Sequence, residues 1–209
     1  MGFMATEKAG SGGFEQTPQG THIARCVTVV DLGLQHTPWG SKEQVYLGFE
    51  VPSHRVEWEK NGKKYQGPGL IGVTWTLNLY EEANLGKNLI SWRGKPFTRE
   101  EKQGFDLFKL LGVPCMLSVT HNEAKNGKTY ANIASIMGVP KGTAVPDQET
   151  ESVGYTATDA RYSNTLDKLP EWLRDKALAG QQQQVAPDRD EGMQAADNPP
   201  PDFDDDIPF

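Results

Sequence analysis

The sequence predicts a mainly β body over residues 20–142, with one helical insert and a strongly acidic C-terminal tail. Three observations carry this. Residues 44–51 and 71–79 alternate apolar and polar side chains with the two-residue period of half-buried strands. Between them and a later strand pair, the apolar spacing of Leu85, Leu89 and Trp92 switches to the helical i, i+4, i+7 period. Charge is also divided along the chain. Residues 1–142 hold 16 Lys and Arg against 13 Asp and Glu, net +3, while residues 143–209 hold 5 against 15, net −10.

In chain order, residues 1–19 are rich in Gly, Ser and Thr and read as a flexible lead-in. Residues 21–32 are rich in β-branched side chains and make one long curved strand, whose imperfect alternation predicts a bulge or two sheet environments. Gly33, Pro38 and Gly40 mark a loop over residues 33–41. In the second strand Val45, Leu47, Phe49 and Val51 share a face, and Gln44, Tyr46, Gly48 and Glu50 share the other. A polar hairpin follows, with its turn at Asn61-Gly62. The third strand puts Ile71, Val73, Trp75, Leu77 and Leu79 on one face and Gly72, Thr74, Thr76 and Asn78 on the other.

The first helix of the insert buries Leu85, Leu89 and Trp92. Thr98-Arg99-Glu100-Glu101 is a capping box opening a second helix that carries Phe105 to Leu111 and ends at Gly112 and Pro114. Cys115, Leu117 and Val119 begin a fourth strand, and Asn126-Gly127 turns it into a fifth over residues 128–136. Three strands, a helical insert and a two-stranded hairpin match the order of the OB-fold, a five-stranded, partly open Greek-key barrel. Residues 143–201 read as a mostly disordered acidic linker with a short helix near 169–179, begun by Pro170 and ended by Gly180.

The last eight residues pair negative charge with a terminal apolar hook. Asp204, Asp205 and Asp206 repel one another. Pro208 blocks regular structure, and Phe209 joins a ring to a carboxylate, which suits a greasy pocket with a cation at its lip. This tip resembles the C-terminal tip of bacterial single-stranded-DNA-binding proteins. The resemblance implies docking of replication, recombination and repair enzymes through Asp204, Asp205, Asp206, Ile207, Pro208 and Phe209. Residues 45–52, 76–92 and 105–136 resemble single-stranded-DNA-binding proteins encoded by tailed bacteriophages, which are OB-folds with an acidic tail. That implies a viral protein acting in the cytoplasm of a bacterial host. The helical insert is longer than in the bacterial proteins, so their homotetramer is not carried over; a dimer stays open.

Unpaired nucleic acid is held by a basic groove and by aromatic faces on which bases stack. On the outer face of strands two and three the candidates are Tyr46, Thr74 and Thr76, with Gly48 and Gly72 leaving room for a nucleotide. The hairpin adds Arg55, Trp58, Lys60, Lys63, Lys64 and Tyr65. Trp39 and Lys42 stand in the first loop, Arg93 and Lys95 flank a helix end, and Lys125 and Lys128 flank the last turn. Trp75 and Trp92 fall on apolar stripes and are expected in the core.

Other classes are disfavoured. Cys26 and Cys115 lie in apolar strands and read as buried free thiols of a reducing compartment. His22, His36, His54 and His121 have no zinc-site spacing, and phosphate-binding and nucleophile-elbow motifs are missing. Glu50, Glu57, Glu59 and His54 are the only carboxylate and histidine group that invites a metal-dependent nuclease reading, and a poor one. The expectation is a non-catalytic protein without cofactor, with no membrane span and with single-stranded DNA as partner; the alternatives are a recombination accessory protein that anneals complementary strands and an OB-fold protein-interaction module that does not bind DNA.

Overall fold

The computed structural model describes residues 15–37, 40–60, 62–123 and 127–185. Trp39, Asn61, Lys125, Asn126 and the tip Asp204 to Phe209 lie outside that set. The chain is mainly β, built on one open sheet of six strands in the order β3-β2-β1-β4-β5, with β6 added to β1. The strands are β1 (Gly20–Thr37), β2 (Gly40–Lys60), β3 (Lys63–Thr76), β4 (Pro114–Glu123), β5 (Thr129–Met137) and β6 (Val153–Tyr155). All pairs are antiparallel except β6 with β1. Among the described residues no strand pairing joins β3 to β5, so the expected barrel is not closed by hydrogen bonds.

β1 organises the sheet. Its first part, Gly20 to Arg25, pairs with β4, and its remainder pairs with β2. The handover falls at a bulge between Cys26 and Thr28, the irregularity that the broken alternation predicts. Cys26 and Val27 are consecutive yet both buried there. The expected loop over 33–41 is largely strand. Gly33 takes φ +62 at a second bulge, its N–H held by Asp31 Oδ1 at 2.9 Å, and the ladder resumes beyond it. A glycine absorbs the extra residue without ending the strand.

The insert holds α1 (Asn84–Arg93) and α2 (Arg99–Gln103). In α1, Leu85, Leu89 and Trp92 are buried as their spacing predicts, and Trp92 Nε1 donates to the Pro114 carbonyl at 2.8 Å. Both halves of the Thr98–Glu101 capping box form. The expected long second helix is split, however. It stops at Gly104, and a separate 3-10 turn, Leu107–Leu110, starts under an Asp106 cap. The core between sheet and insert contains Val29, Leu47, Phe49, Leu89, Leu117 and Ile136.

Residues 143–185 correct the linker expectation. The Arg25 guanidinium donates to the carbonyls of Gly112 (2.6 Å) and Pro146 (2.8 Å). Fully buried Glu50 accepts backbone N–H bonds from Glu149 (3.3 Å) and Thr150 (2.8 Å). The chain then adds β6 to the side of β1 that β4 has left, and finishes with α3 (Glu171–Val185). Leu169, Leu173 and Ala177 bury against Val30, Leu32 and Tyr155, a second core on the outer sheet face. Gly180, expected just past the helix, sits inside it. Its backbone lies so close to β1 that a Cβ there would fall 1.9 Å from the Leu32 carbonyl oxygen.

The lead-in is also partly pinned. Ring nitrogens of His54, His121 and His22 donate to the carbonyls of Glu15 (3.2 Å), Thr17 (2.8 Å) and Pro18 (2.8 Å), and Thr17 is buried. Residues on both sides of the expected 20–142 body therefore pack against it, 15–19 before it and 143–185 after it. No helix among the described residues is long and apolar enough to cross a membrane.

Candidate nucleic-acid interface

The predicted residues fall on two opposite faces of the β2–β3 ribbon. Along β3 the odd positions Gly67, Gly69 and Ile71 are buried and face the core, while Leu70 and Thr76 are exposed on the other side. Register places Lys42, Gln44 and Tyr46 of β2 with Thr74 and Thr76 on the outer face. Lys42 and Thr76 share a cleft of about 280 Å³ with Asn78, Glu82, Ala83 and Asn84. Tyr65 has the odd parity of the core-facing side. Trp58, directly across from it, lies on the same side, because its ring covers Gly67.

Beyond a three-residue irregularity between Val51 and Arg55, β2 and β3 project as a two-stranded arm. On its inner face Trp58 and Tyr65 stack with centroids 5.9 Å apart and planes 14° from parallel. Both stay solvent-accessible, Trp58 at 41% and Tyr65 at 44%. Lys63 is exposed beside them and pairs in register with Lys60, whose side chain lies outside the described set. The opposite face of the arm carries Arg55, Glu57, Glu59 and Lys64. Arg55 is engaged there by Glu149 at 2.6 Å. The inner face thus combines aromatic surface with lysine, and the two arm glutamates lie behind it.

Three rings of β2 each lie over a β3 glycine. A Cβ at Gly67 would fall 2.9 Å from the Trp58 ring, one at Gly69 2.3 Å from His54, and one at Gly72 2.1 Å from the Tyr46 hydroxyl. Gly48 likewise leaves space for Tyr46 and Thr28. The gap at Gly48 and Gly72, read from sequence as room for a nucleotide, is filled by the protein's own Tyr46. That ring is covered in turn by α3, where Trp172 meets it edge-on at 5.4 Å. Burial pushes the Tyr46 phenol up to about 12. Tyr46 is therefore part of the second core and not a freestanding platform. Trp172, 55% exposed, is the open ring on this face; the sequence placed its helix, with docking on the barrel or on a second subunit both open, but did not single out the ring.

Other predicted residues are elsewhere. Arg93 lies over the Phe97 ring at 4.3 Å, is ion-paired with Glu101, and has little exposed side chain. Its role is to bind the insert together. Lys95 is exposed just past α1, and Lys128 beside the β4–β5 turn. Trp39 and Lys125 lie outside the described residues. A larger cleft of about 460 Å³, walled by Val29, Val45, Leu77, Phe105 and Phe108, contains none of the predicted residues.

Both cysteines are buried and free, and burial holds the Cys26 thiol up at about 12 and raises that of Cys115 further. Among the described residues no three His, Cys, Asp or Glu side chains gather as a metal site. Glu50 is committed to the backbone of Glu149 and Thr150, and His54 to Glu15. No protein-family model matches the chain, and no curated protein matches it in sequence.

Proposed function

We propose that this protein is a non-catalytic, sequence-independent single-stranded-DNA-binding protein on an OB-type barrel. It would coat exposed strands during replication or recombination and recruit enzymes through its acidic tip. The observation that carries the reading is the stacked, solvent-accessible Trp58–Tyr65 pair on the projecting arm, with Lys63 beside it. A cross-strand aromatic pair adds only about 0.2–1 kcal/mol to the ribbon, whereas a base stacked on it gains about 1–3 kcal/mol. The strand order β3-β2-β1-β4-β5, with β1 shared between β2 and β4 and the helices placed between β3 and β4, supports the OB reading. The tip, with its acidic run and terminal Ile207-Pro208-Phe209, supports the docking role.

The test is titration of the full chain with an unstructured oligothymidylate at low ionic strength, read by tryptophan fluorescence. Quenching is expected. Trp58→Ala should remove much of it and weaken affinity by about 1–2 kcal/mol. Affinity should fall with log[salt] with a slope of about −0.7 per phosphate contacted. A chain that leaves the oligonucleotide free at low salt sinks the proposal.

A further inference from the structure

We propose a second nucleic-acid contact, on the outer face of the sheet, built by α3: a groove between that helix and β3 in which Trp172 is the stacking ring and Lys42 and Lys176 take phosphates. It rests on the single-strand reading and extends it to a face that the C-terminal segment constructs.

The helix's own geometry sets the groove. Leu173, Ala177 and Gly180, at i, i+4 and i+7, face the sheet. Tyr155 Oη donates to Gln181 Oε1 at 3.0 Å, which marks the helix flank turned toward β6. Trp172 touches Tyr46 of β2, which marks the other flank. Lys176 follows Trp172 by four residues, so both stand on the β2 side. Across from them lie Thr74 and Thr76 of β3 and, two register positions beyond Gln44, Lys42. Gln35, the strand partner of Lys42, donates to the Lys176 carbonyl at 3.0 Å, which ties the two lysine-bearing segments together. Tyr46 levels the floor by filling the space over Gly48 and Gly72.

Ring and charge together select the occupant. Lys42 and Lys176 are accompanied by Thr74, Thr76 and Gln44; of the nearby carboxylates, Glu82 lines the Lys42 cleft, Asp175 lies 3.7 Å from Arg174, and Glu50 is buried under Glu149 and Thr150. A flat aromatic ring more than half exposed, flanked by ammonium groups and hydroxyls, fits unpaired bases with their phosphates.

The full chain with Trp172→Ala, Trp172→Phe, Trp58→Ala and the Trp58→Ala/Trp172→Ala pair, titrated with oligothymidylate, tests the idea. Trp172→Ala should lose roughly ten-fold in affinity, Trp172→Phe should keep most of it, and the double variant should lose the product of the single effects, because the rings lie on opposite faces. Unchanged affinity in Trp172→Ala, beside a weakened Trp58→Ala, overturns this site and leaves the arm reading intact. Failure of the unaltered chain to bind overturns both. Two further outcomes overturn the groove alone. One is a loss that Trp172→Phe does not restore and that accompanies loss of helix by circular dichroism, which makes the ring a clamp on Tyr46. The other is a change in sedimentation of Trp172→Ala without DNA, which assigns the groove to a second copy of the chain.

Discussion

Single side chains decide which face does what. Gly48 and Gly72 read alike in two hypotheses, space for a ligand or space for a neighbouring ring, and sequence offers no means of choosing. The diagonal placement of Tyr46 over Gly72 settles it for this structure. The same holds for Trp58 over Gly67. Alternation did give the core residues Leu47, Phe49 and Ile71 correctly, because a period of two needs no long-range information. It could not carry parity through the irregularity after Val51, so the face of Trp58 follows only from its register across from Tyr65. Tyr46 also supplies a test. Its phenol is raised to about 12, mainly by burial, from an ordinary value near 10. The stability tied to its neutral form is complete below pH 10 and is lost as the pH climbs toward 12. Tyr46→Phe should therefore lose less stability than the unaltered chain over that interval, measured as denaturant midpoints at pH 9 and pH 12. Equal losses would mean that the ring is not enclosed.

At the level of elements, α3 is the part that sequence located and misjudged. Pro170 and the apolar pattern placed a helix near residues 169–179, but Gly180 looked like its stop signal. Inside a helix, glycine costs about 1 kcal/mol relative to alanine, so on propensity alone Gly180→Ala should stabilise. The contact with the Leu32 carbonyl reverses the sign. Gly180→Ala should destabilise by about 1–3 kcal/mol, as overpacked cores do, with loss of helix before loss of sheet in thermal melts. A stabilised variant would place the helix further from β1. The capping box at Thr98 was legible because both of its partners are local. The split of the following helix was not, since Gly104 ends it through a backbone path that no periodicity encodes.

For the whole molecule, the packing of residues 143–185 on the sheet changes the electrostatic picture. Residues 1–185 hold 20 Lys and Arg against 20 Asp and Glu, net zero, and the full −7 falls on residues 186–209. Residues 143–185 thus cancel the net +3 of residues 1–142, and on the proposed function attraction to a polyanion has to come from local lysines such as Lys63 and Lys42. A truncation series follows from this. A chain ending at residue 142 loses the partners of Glu50, the strand beside β1 and the helix over Val30 and Leu32. Burial of that second core is worth on the order of 5–10 kcal/mol, comparable to the stability of a typical domain. That chain should be unfolded or aggregated by circular dichroism, and one ending at 185 should melt as a single domain. Removal of residues 202–209 alone should leave DNA affinity equal or higher and abolish partner capture. A folded, cooperative chain ending at 142 would refute this dependence on residues 143–185.

The close seam between Gly180 and Gly33 behaves as a key in a slot. Sliding the helix by one turn, about 5.4 Å, would bring a side chain with a Cβ against the Leu32 carbonyl. Only one axial position is open to it, and the indole at its first turn is thereby indexed to the sheet below with no freedom to drift.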